Sequence, residues 1–154
     1  PRGGESLIFV DSYYELGQPE KAQKVLDEIL SRVDNTLQWY ARMSSGNMRS
    51  CSLDIRDHLD TQIRALDIYQ RFDKEKYEAL KAKVFTNMEI FLNNNISFLE
   101  RSHPLDLLWS ITMRGYANTE DSVQREADGK DWERTIGLMQ KYNPRLLEKY
   151  QRQQ

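Results

Sequence analysis

The sequence predicts an all-α protein built from stacked antiparallel helical hairpins. In four long stretches, apolar residues recur at the spacing of one helical face. The 154 residues include only seven glycines and four prolines, and 30% of them are charged, which is the profile of a helical protein with a polar surface. No stretch shows the apolar–polar alternation of a strand. These three observations together favour helices throughout.

The first hairpin is predicted from its turn. Gly17 stands where an ending helix favours a residue with positive φ. Pro19 suits the first turn of the next helix, because its missing N–H falls among donors that are unpaired there anyway. Ala22 is small at the point where the two helices first meet. Ahead of the turn we expect an apolar face that packs in the core, made of Phe9, Val10, Tyr13 and Leu16.

The turn residues resemble a tetratricopeptide repeat. A paired aromatic, a turn glycine, a small residue and a large apolar residue occur in the family's order and spacing, as Tyr13-Tyr14, Gly17, Ala22 and Leu26. The chain departs from the family where Ile29 replaces a small residue. The resemblance covers about one repeat, whereas three or more normally make a stable array. It implies a right-handed superhelix of hairpins that binds a protein or peptide partner.

Such a hairpin presents one face of its first helix to its partner. By position, the candidate partner-binding face is Asp11, Tyr14 and Glu15, since the neighbouring apolar residues are expected in the core. The alternative interpretation is that these three residues are merely the exposed side of a surface helix.

A second resemblance is broader. The predicted hairpin, the extension Leu37-Gln38-Trp39-Tyr40 and two further long helices are similar to the soluble C-terminal region of a family of large bacterial multi-span membrane proteins, over residues 5 to about 100. The membrane portion of that family resembles glycosyltransferases that use lipid-linked sugars. The resemblance implies a soluble part of a larger protein. Pro1 in place of a methionine also suggests a fragment or a processed product.

The helical-hairpin domain is predicted to span residues 1–101. Its four helices are expected at about 5–16, 19–43, 52–72 and 74–100. Small, turn-forming residues at 44–47 stop the second helix. Ser50 or Ser52 is expected to cap the third helix, and Asp73 the fourth.

The C-terminal tail, 102–154, is predicted to be partly irregular. Residues 104–111 form a short apolar segment, helical or irregular, and residues 132–141 and 144–152 are expected to be short helices. A polar stretch without periodicity predicts a loop at about 115–131. We expect 104–113 and 132–147 to dock on the hairpins. Both segments carry tryptophan and aliphatic residues, and a soluble protein rarely leaves so much apolar surface in water. Core packing is the first expectation for Trp39, Trp109 and Trp132.

Composition argues against several kinds of site. A net charge of −2 gives no reason to expect nucleic acid as a partner. His58 and His103 lack a second histidine or cysteine at ligand spacing, so neither a metal nor a cofactor is predicted. Cys51, the single cysteine, has no neighbouring base and cannot form an internal disulfide, which leaves cytosol and periplasm both open. No apolar run reaches membrane length.

These patterns predict a non-catalytic protein-interaction or accessory module. The second resemblance implies that it is the soluble C-terminal part of a larger bacterial protein, with or without a membrane anchor. One alternative is a free-standing cytosolic adaptor with tetratricopeptide-like repeats, which transmembrane spans upstream of Pro1 would exclude. A second alternative, from another class, is an enzyme with an unrecognised site in a cleft between the hairpins and the tail. A deep pocket with two or more titratable groups of displaced pKa would favour the enzyme.

Overall fold

The protein is all-α. The computed structural model describes residues 3–96, 98 and 103–153, with side chains described from residue 7 onward. Within these ranges every regular element is an α-helix, as predicted. The helices are α1 (Gly3–Glu15), α2 (Pro19–Ala41), α3 (Ser45–Ser50), α4 (Ser52–Phe72), α5 (Lys74–Asn93), α6 (Pro104–Asn118), α7 (Ser122–Tyr142) and α8 (Pro144–Gln151). The chain divides into two compact units, 1–97 with α1–α5 and 98–154 with α6–α8.

The turn between α1 and α2 has the predicted chemistry. Gly17 has a φ of 74°. Its N–H donates to the Tyr14 carbonyl at 3.1 Å, and the Gln18 N–H donates to the Tyr13 carbonyl at 2.8 Å. These two bonds form the Schellman arrangement that ends a helix. Pro19 opens α2, so the predicted positive φ of Gly17 and the predicted place of Pro19 are confirmed. Ala22 is fully buried, and its place at the first contact of the two helices stays a prediction.

Two helical hairpins make up unit 1. α1 packs on α2, and α4 packs on α5 across the Asp73 cap, whose side chain accepts from the Lys76 N–H. α2 also packs on α4. Hydrogen bonds join Tyr40 to Asp54 at one end of this pair and Gln23 to Tyr69 at the other, so α2 and α4 run antiparallel. A superhelical stacking of tetratricopeptide type stays a prediction.

Three large apolar residues predicted in the core are exposed. Phe9 is 65% and Leu16 71% exposed, whereas Val10, on another side of α1, is fully buried. α1 is apolar on two sides, so the pattern of its sequence does not decide which stripe faces α2 and α4. Trp39 is 54% exposed, because Tyr40 takes the inward position at that end of α2.

The helix bounds differ from prediction around two turns. α2 ends at Ala41, just before the stretch predicted to stop it, and the same stretch also starts the short α3, because the Ser44 side chain accepts from the Asn47 N–H as an N-cap. Cys51, rather than Ser50 or Ser52, holds the N-cap position of α4 and makes no side-chain capping bond. α5 ends at Asn93 instead of continuing to residue 100. Residues 97 and 99–102 of the predicted junction lie outside the described ranges.

The predicted loop at 115–131 is wrong. α6 continues to Asn118 and α7 begins at Ser122, with the Asp121 side chain as its N-cap. Asp128, 1% exposed, accepts hydrogen bonds from Thr119 at 2.7 Å and Gln124 at 3.0 Å. Polar residues therefore hold the turn between the helices, which is why apolar periodicity missed it. Docking of 104–113 and 132–147 on the hairpins stays a prediction.

Aromatic residues fill much of unit 2. The Trp109 ring stacks on Tyr150 at 4.6 Å between centroids and meets the edge of Trp132 at 5.8 Å. The Tyr150 hydroxyl donates to Asp106 at 2.5 Å, which ties α8 to α6. His103 caps α6 by accepting from the Leu105 N–H at 3.1 Å. Within the described ranges, no helix combines the length and apolar character needed to cross a bilayer.

Candidate functional site

An open groove runs between α2 and α5 over α4 in unit 1. Its wider part has a volume of about 340 Å³, and a second part of about 250 Å³ continues it along the same two helices. We call the two parts together the α2–α5 groove. Asp34 and Lys83 line both parts. The other lining residues used below are Asp27, Leu30, Ser31, Gln38, Gln62, Tyr69, Lys76, Ala79, Leu80, Thr86 and Asn87.

The groove exists because α2 and α5 both pack on α4 while their exposed sides turn toward each other. On α2 the lining positions 27, 31, 34 and 38 follow the spacing of one helical face, and on α5 positions 76, 79, 83 and 86 do the same. The lower-numbered residues of α2 lie across from the lower-numbered residues of α5. The two walls therefore run parallel, with α4 antiparallel to both as the floor.

The two walls carry opposite charge. Asp27 and Asp34 stand two helical turns apart on α2, and Lys76 and Lys83 stand two turns apart on α5. Lys83 Nζ lies 3.9 Å from Asp34 Oδ2, across the groove. Such an exposed pair contributes at most about 1 kcal/mol. Lys76 makes no ion pair with any residue that the structure describes, so its ammonium group is available to an acidic group of a ligand.

One end of the floor is a hydrogen-bond network centred on the uncharged side chains of Tyr69 and Gln23. Tyr69 is 2% exposed, and its hydroxyl accepts from Gln23 Nε2 at 3.2 Å. The same Gln23 nitrogen donates to Asp27 Oδ1 at 2.9 Å. Burial raises the pKa of Tyr69 to about 12, and the carboxylate of Asp27 also contributes to this rise. Tyr69 therefore stays protonated and keeps its O–H as a donor beneath the groove.

The other end of the floor is a buried amide pair. Gln62 from α4 is 1% exposed and Asn87 from α5 is 2% exposed. Asn87 Nδ2 donates to Gln62 Oε1 at 3.1 Å. Both residues line the groove, Gln62 its wider part and Asn87 its second part. This pair gives the groove two neutral polar groups at its base, where an apolar core residue would be usual.

The predicted partner-binding residues lie outside this groove. Asp11 accepts from Arg71 at 2.9 Å, and the Tyr14 ring stacks on Phe72 at 4.8 Å between centroids. Both side chains are thus engaged with the end of α4, while Glu15 is exposed. Tyr14 reaches the groove only indirectly, because its hydroxyl donates to Gln23 at 3.4 Å. The prediction that these residues meet a partner stays a prediction.

The remaining sequence candidates take local structural positions. His58 Nδ1 lies 2.8 Å from the Asp54 carbonyl one turn earlier in α4. The Tyr40 hydroxyl donates to the Asp54 carboxylate, and burial is the main reason why the pKa of Tyr40 rises to about 12. Cys51 is half-exposed with a free thiol. Among the described side chains, no group of three or more acidic, histidine or cysteine residues could hold a metal ion.

The groove left only a faint signal in the sequence. Asp27 and Asp34, like Lys76 and Lys83, repeat at seven residues, but such charges on a helix usually mean no more than a solvated face. Gln62 and Asn87 have no distinguishing neighbours in the chain. The chain matches no protein-family model, no curated protein and no solved structure. What the groove can bind follows from its own geometry and charge.

Proposed function

We propose that unit 1 is a protein-interaction module that binds a peptide segment of a partner protein in the α2–α5 groove. The observation that carries this proposal is a groove with an acidic wall, a basic wall and a neutral polar floor. A polyphosphate or nucleic acid would be repelled by Asp27 and Asp34. A polypeptide can supply both charges and backbone hydrogen bonds at once, so it complements all three surfaces.

The size of the groove supports a short segment. From Asp27 to Gln38 the acidic wall rises through eleven residues of helix, or roughly 16 Å. An extended chain covers that length with about five residues. Leu30 and Leu80 add apolar surface to the walls, which contributes affinity without fixing a sequence.

We place this module in a larger protein, as a non-catalytic accessory part of a membrane-anchored bacterial chain. The resemblance of residues 5 to about 100 to the soluble region of such a family supports this placement. A free-standing cytosolic adaptor with the same groove is the alternative. The gene sequence upstream of Pro1 separates the two, because only the first has transmembrane spans there.

Peptide selection with a blocked groove tests the proposal. A random dodecapeptide library is selected on the 154-residue protein, and the recovered peptides are tested against two tryptophan variants. Ser31→Trp places a large ring in the groove, whereas Arg32→Trp places it on the neighbouring exposed position outside the groove. We expect Ser31→Trp to weaken binding about tenfold or more, the loss of roughly 1.4 kcal/mol, and Arg32→Trp to leave it unchanged.

Thermal unfolding of both variants shows whether the tryptophan disturbs the fold. Recovered peptides that bind Ser31→Trp as well as they bind the unchanged protein would place the binding surface elsewhere. A library that yields no peptide at all would contradict the proposed function.

A further inference from the structure

We infer that the α2–α5 groove binds its peptide as an extended, strand-like segment whose backbone is held by the Gln62–Asn87 amide pair, with basic side chains toward α2 and acidic side chains toward α5. The inference rests on the proposed function and adds to it the conformation and the charge pattern of the ligand.

The amide pair has unused hydrogen-bonding groups. Asn87 donates to the oxygen of Gln62, which leaves the Gln62 nitrogen with its two N–H donors and the Asn87 oxygen as an acceptor. Neither atom has a partner among the described residues, and neither is sealed from solvent. Both belong to side chains at most 2% exposed that line the groove. A nearly buried donor and acceptor side by side are complementary to a peptide group.

The shape of a strand fits this arrangement. Along a strand, successive side chains point to opposite sides, while the N–H and C=O groups point across the chain at right angles to them. A strand lying along the floor with its side chains toward the two walls therefore aims its backbone groups at Gln62 and Asn87. The side chains on one edge meet Asp27 and Asp34, and those on the other edge meet Lys76 and Lys83.

A helical ligand fits less well. A helix with side chains is about 10–12 Å wide, so it is bulkier than an extended chain. A helix also satisfies its own backbone groups, so it would leave the free amide groups of Gln62 and Asn87 unpaired. The exposed Asp34–Lys83 pair opens easily, because it is weak. An extended ligand then replaces it with one ion pair on each wall.

Two synthetic peptides of the same composition test the charge pattern. The first is an octapeptide of alternating lysine and glutamate with blocked ends, which as a strand presents lysines on one edge and glutamates on the other. The second has four lysines followed by four glutamates, which puts both charges on both edges. Octapeptides are too short to form stable helices alone. We expect the complete 154-residue protein to bind the alternating peptide about fivefold or more tightly, as measured by calorimetry.

Ester bonds test the backbone contact without changing the protein. Replacing single peptide N–H groups of the alternating peptide by ester oxygen removes one donor at a time. We expect at least one central ester to weaken binding about fivefold or more. The double variant Gln62→Leu with Asn87→Leu removes both amide partners together and so leaves no unpaired polar group in the floor. It should bind the ester and amide peptides equally.

The outcomes separate the inference from the proposed function. Equal affinity for the two octapeptides, or no effect of any ester, overturns the strand-like binding mode. The strand-like binding mode is also overturned if the alternating peptide does not bind at millimolar concentration although library peptides do bind and Ser31→Trp abolishes their binding. In those cases peptide binding in the groove stands. If no library peptide depends on the open groove, the proposed function itself fails, and this inference fails with it.

Discussion

Gly17 shapes the first turn through its backbone alone. A Cβ built at this position meets no atom within 4 Å, so any destabilisation must come from the φ of 74°. A β-branched residue is poorly suited to that region. We expect Gly17→Val to lower the free energy of unfolding by about 1–3 kcal/mol, measured by urea denaturation. Gly17→Asn, which tolerates positive φ better, should lose clearly less, and equal losses would contradict the backbone explanation.

Asp60 destabilises the folded state at neutral pH. Its Oδ1 is buried without a hydrogen-bond partner among the described residues. Burial raises its pKa from 3.8 to about 6, although Arg64 and Arg56 oppose the rise. The folded state therefore holds a proton more tightly than the unfolded state, and stability falls as pH increases through this interval. We expect Asp60→Asn to raise the free energy of unfolding at neutral pH by about 1–3 kcal/mol.

Urea denaturation at several pH values measures this effect. Asp60→Asn should remove the pH dependence of the free energy of unfolding between pH 3.8 and about 6. Asp57→Asn removes an exposed carboxylate that makes a smaller contribution to the rise than burial does, so most of the pH dependence should remain. A loss of stability on replacing Asp60 would show that its ionised form is favoured by the fold.

Sequence patterns at the residue scale succeeded where backbone chemistry decided the outcome. Gly17, Pro19 and the Asp73 cap each have a conformational preference that acts locally. The sequence patterns gave the wrong burial for Phe9 and Leu16, because burial depends on which side of α1 meets α2 and α4. An apolar residue has no local property that contains this information.

At the scale of elements, α6 and α7 are the sharpest departure from the sequence prediction. Helix covers nearly all of the stretch that was predicted to be a loop, with 119–121 as the connection. We therefore expect slow amide exchange for helical N–H groups within 115–131, especially around the buried Asp128. Asp128→Ala should speed exchange in this turn, because it leaves Thr119 and Gln124 without their acceptor. Asp121→Asn, which keeps a capping oxygen, is the control.

Uniformly fast exchange across 115–131 in the unchanged protein would contradict the helical assignment. The sequence prediction missed the helical parts of 115–131 because polar contacts between residues nine or more positions apart help to hold α6 and α7 together. Thr112 with Thr135 and Thr119 with Asp128 are examples. Apolar periodicity cannot register such pairs.

The groove is likewise an outcome of element packing. Each of its helices has a recognisable pattern, and the first hairpin was predicted almost to its ends. The pairing of α2 with α5 across α4 brings together Asp34 and Lys83, which are 49 positions apart. The sequence predicted a partner-binding surface on the first helix, whereas the groove lies between the second and the fifth. Only the arrangement of the hairpins distinguishes the two surfaces.

For the whole molecule, acidification is expected to act oppositely on the two units. In unit 2, burial lowers the pKa of His103 from 6.5 to about 4, so the folded state holds its proton less tightly than the unfolded state. The stability of unit 2 should then be lost as pH falls through this interval, whereas protonation of Asp60 stabilises unit 1 over much the same range. Each effect is on the order of 1–3 kcal/mol.

Fluorine NMR of protein labelled with 5-fluorotryptophan separates the units. Trp39 reports on unit 1, and Trp109 and Trp132 report on unit 2. On acidification, the urea midpoint should fall for the unit 2 resonances and hold or rise for Trp39. His103→Asn keeps an oxygen that can cap α6 and should abolish the acid sensitivity of unit 2. A parallel fall of all three resonances would contradict the opposing effects.

The balance of charge along the α2–α5 groove has a consequence for rates. Two carboxylates face two ammonium groups, so the groove has no net charge with which to draw a ligand from a distance. Electrostatic steering needs an excess of one sign. We therefore expect association at an ordinary rate, about 10⁵–10⁷ M⁻¹s⁻¹, that hardly changes with ionic strength. Salt should instead shorten the lifetime of the complex. The groove would then distinguish one peptide segment from another by their dissociation rates and not by their association rates.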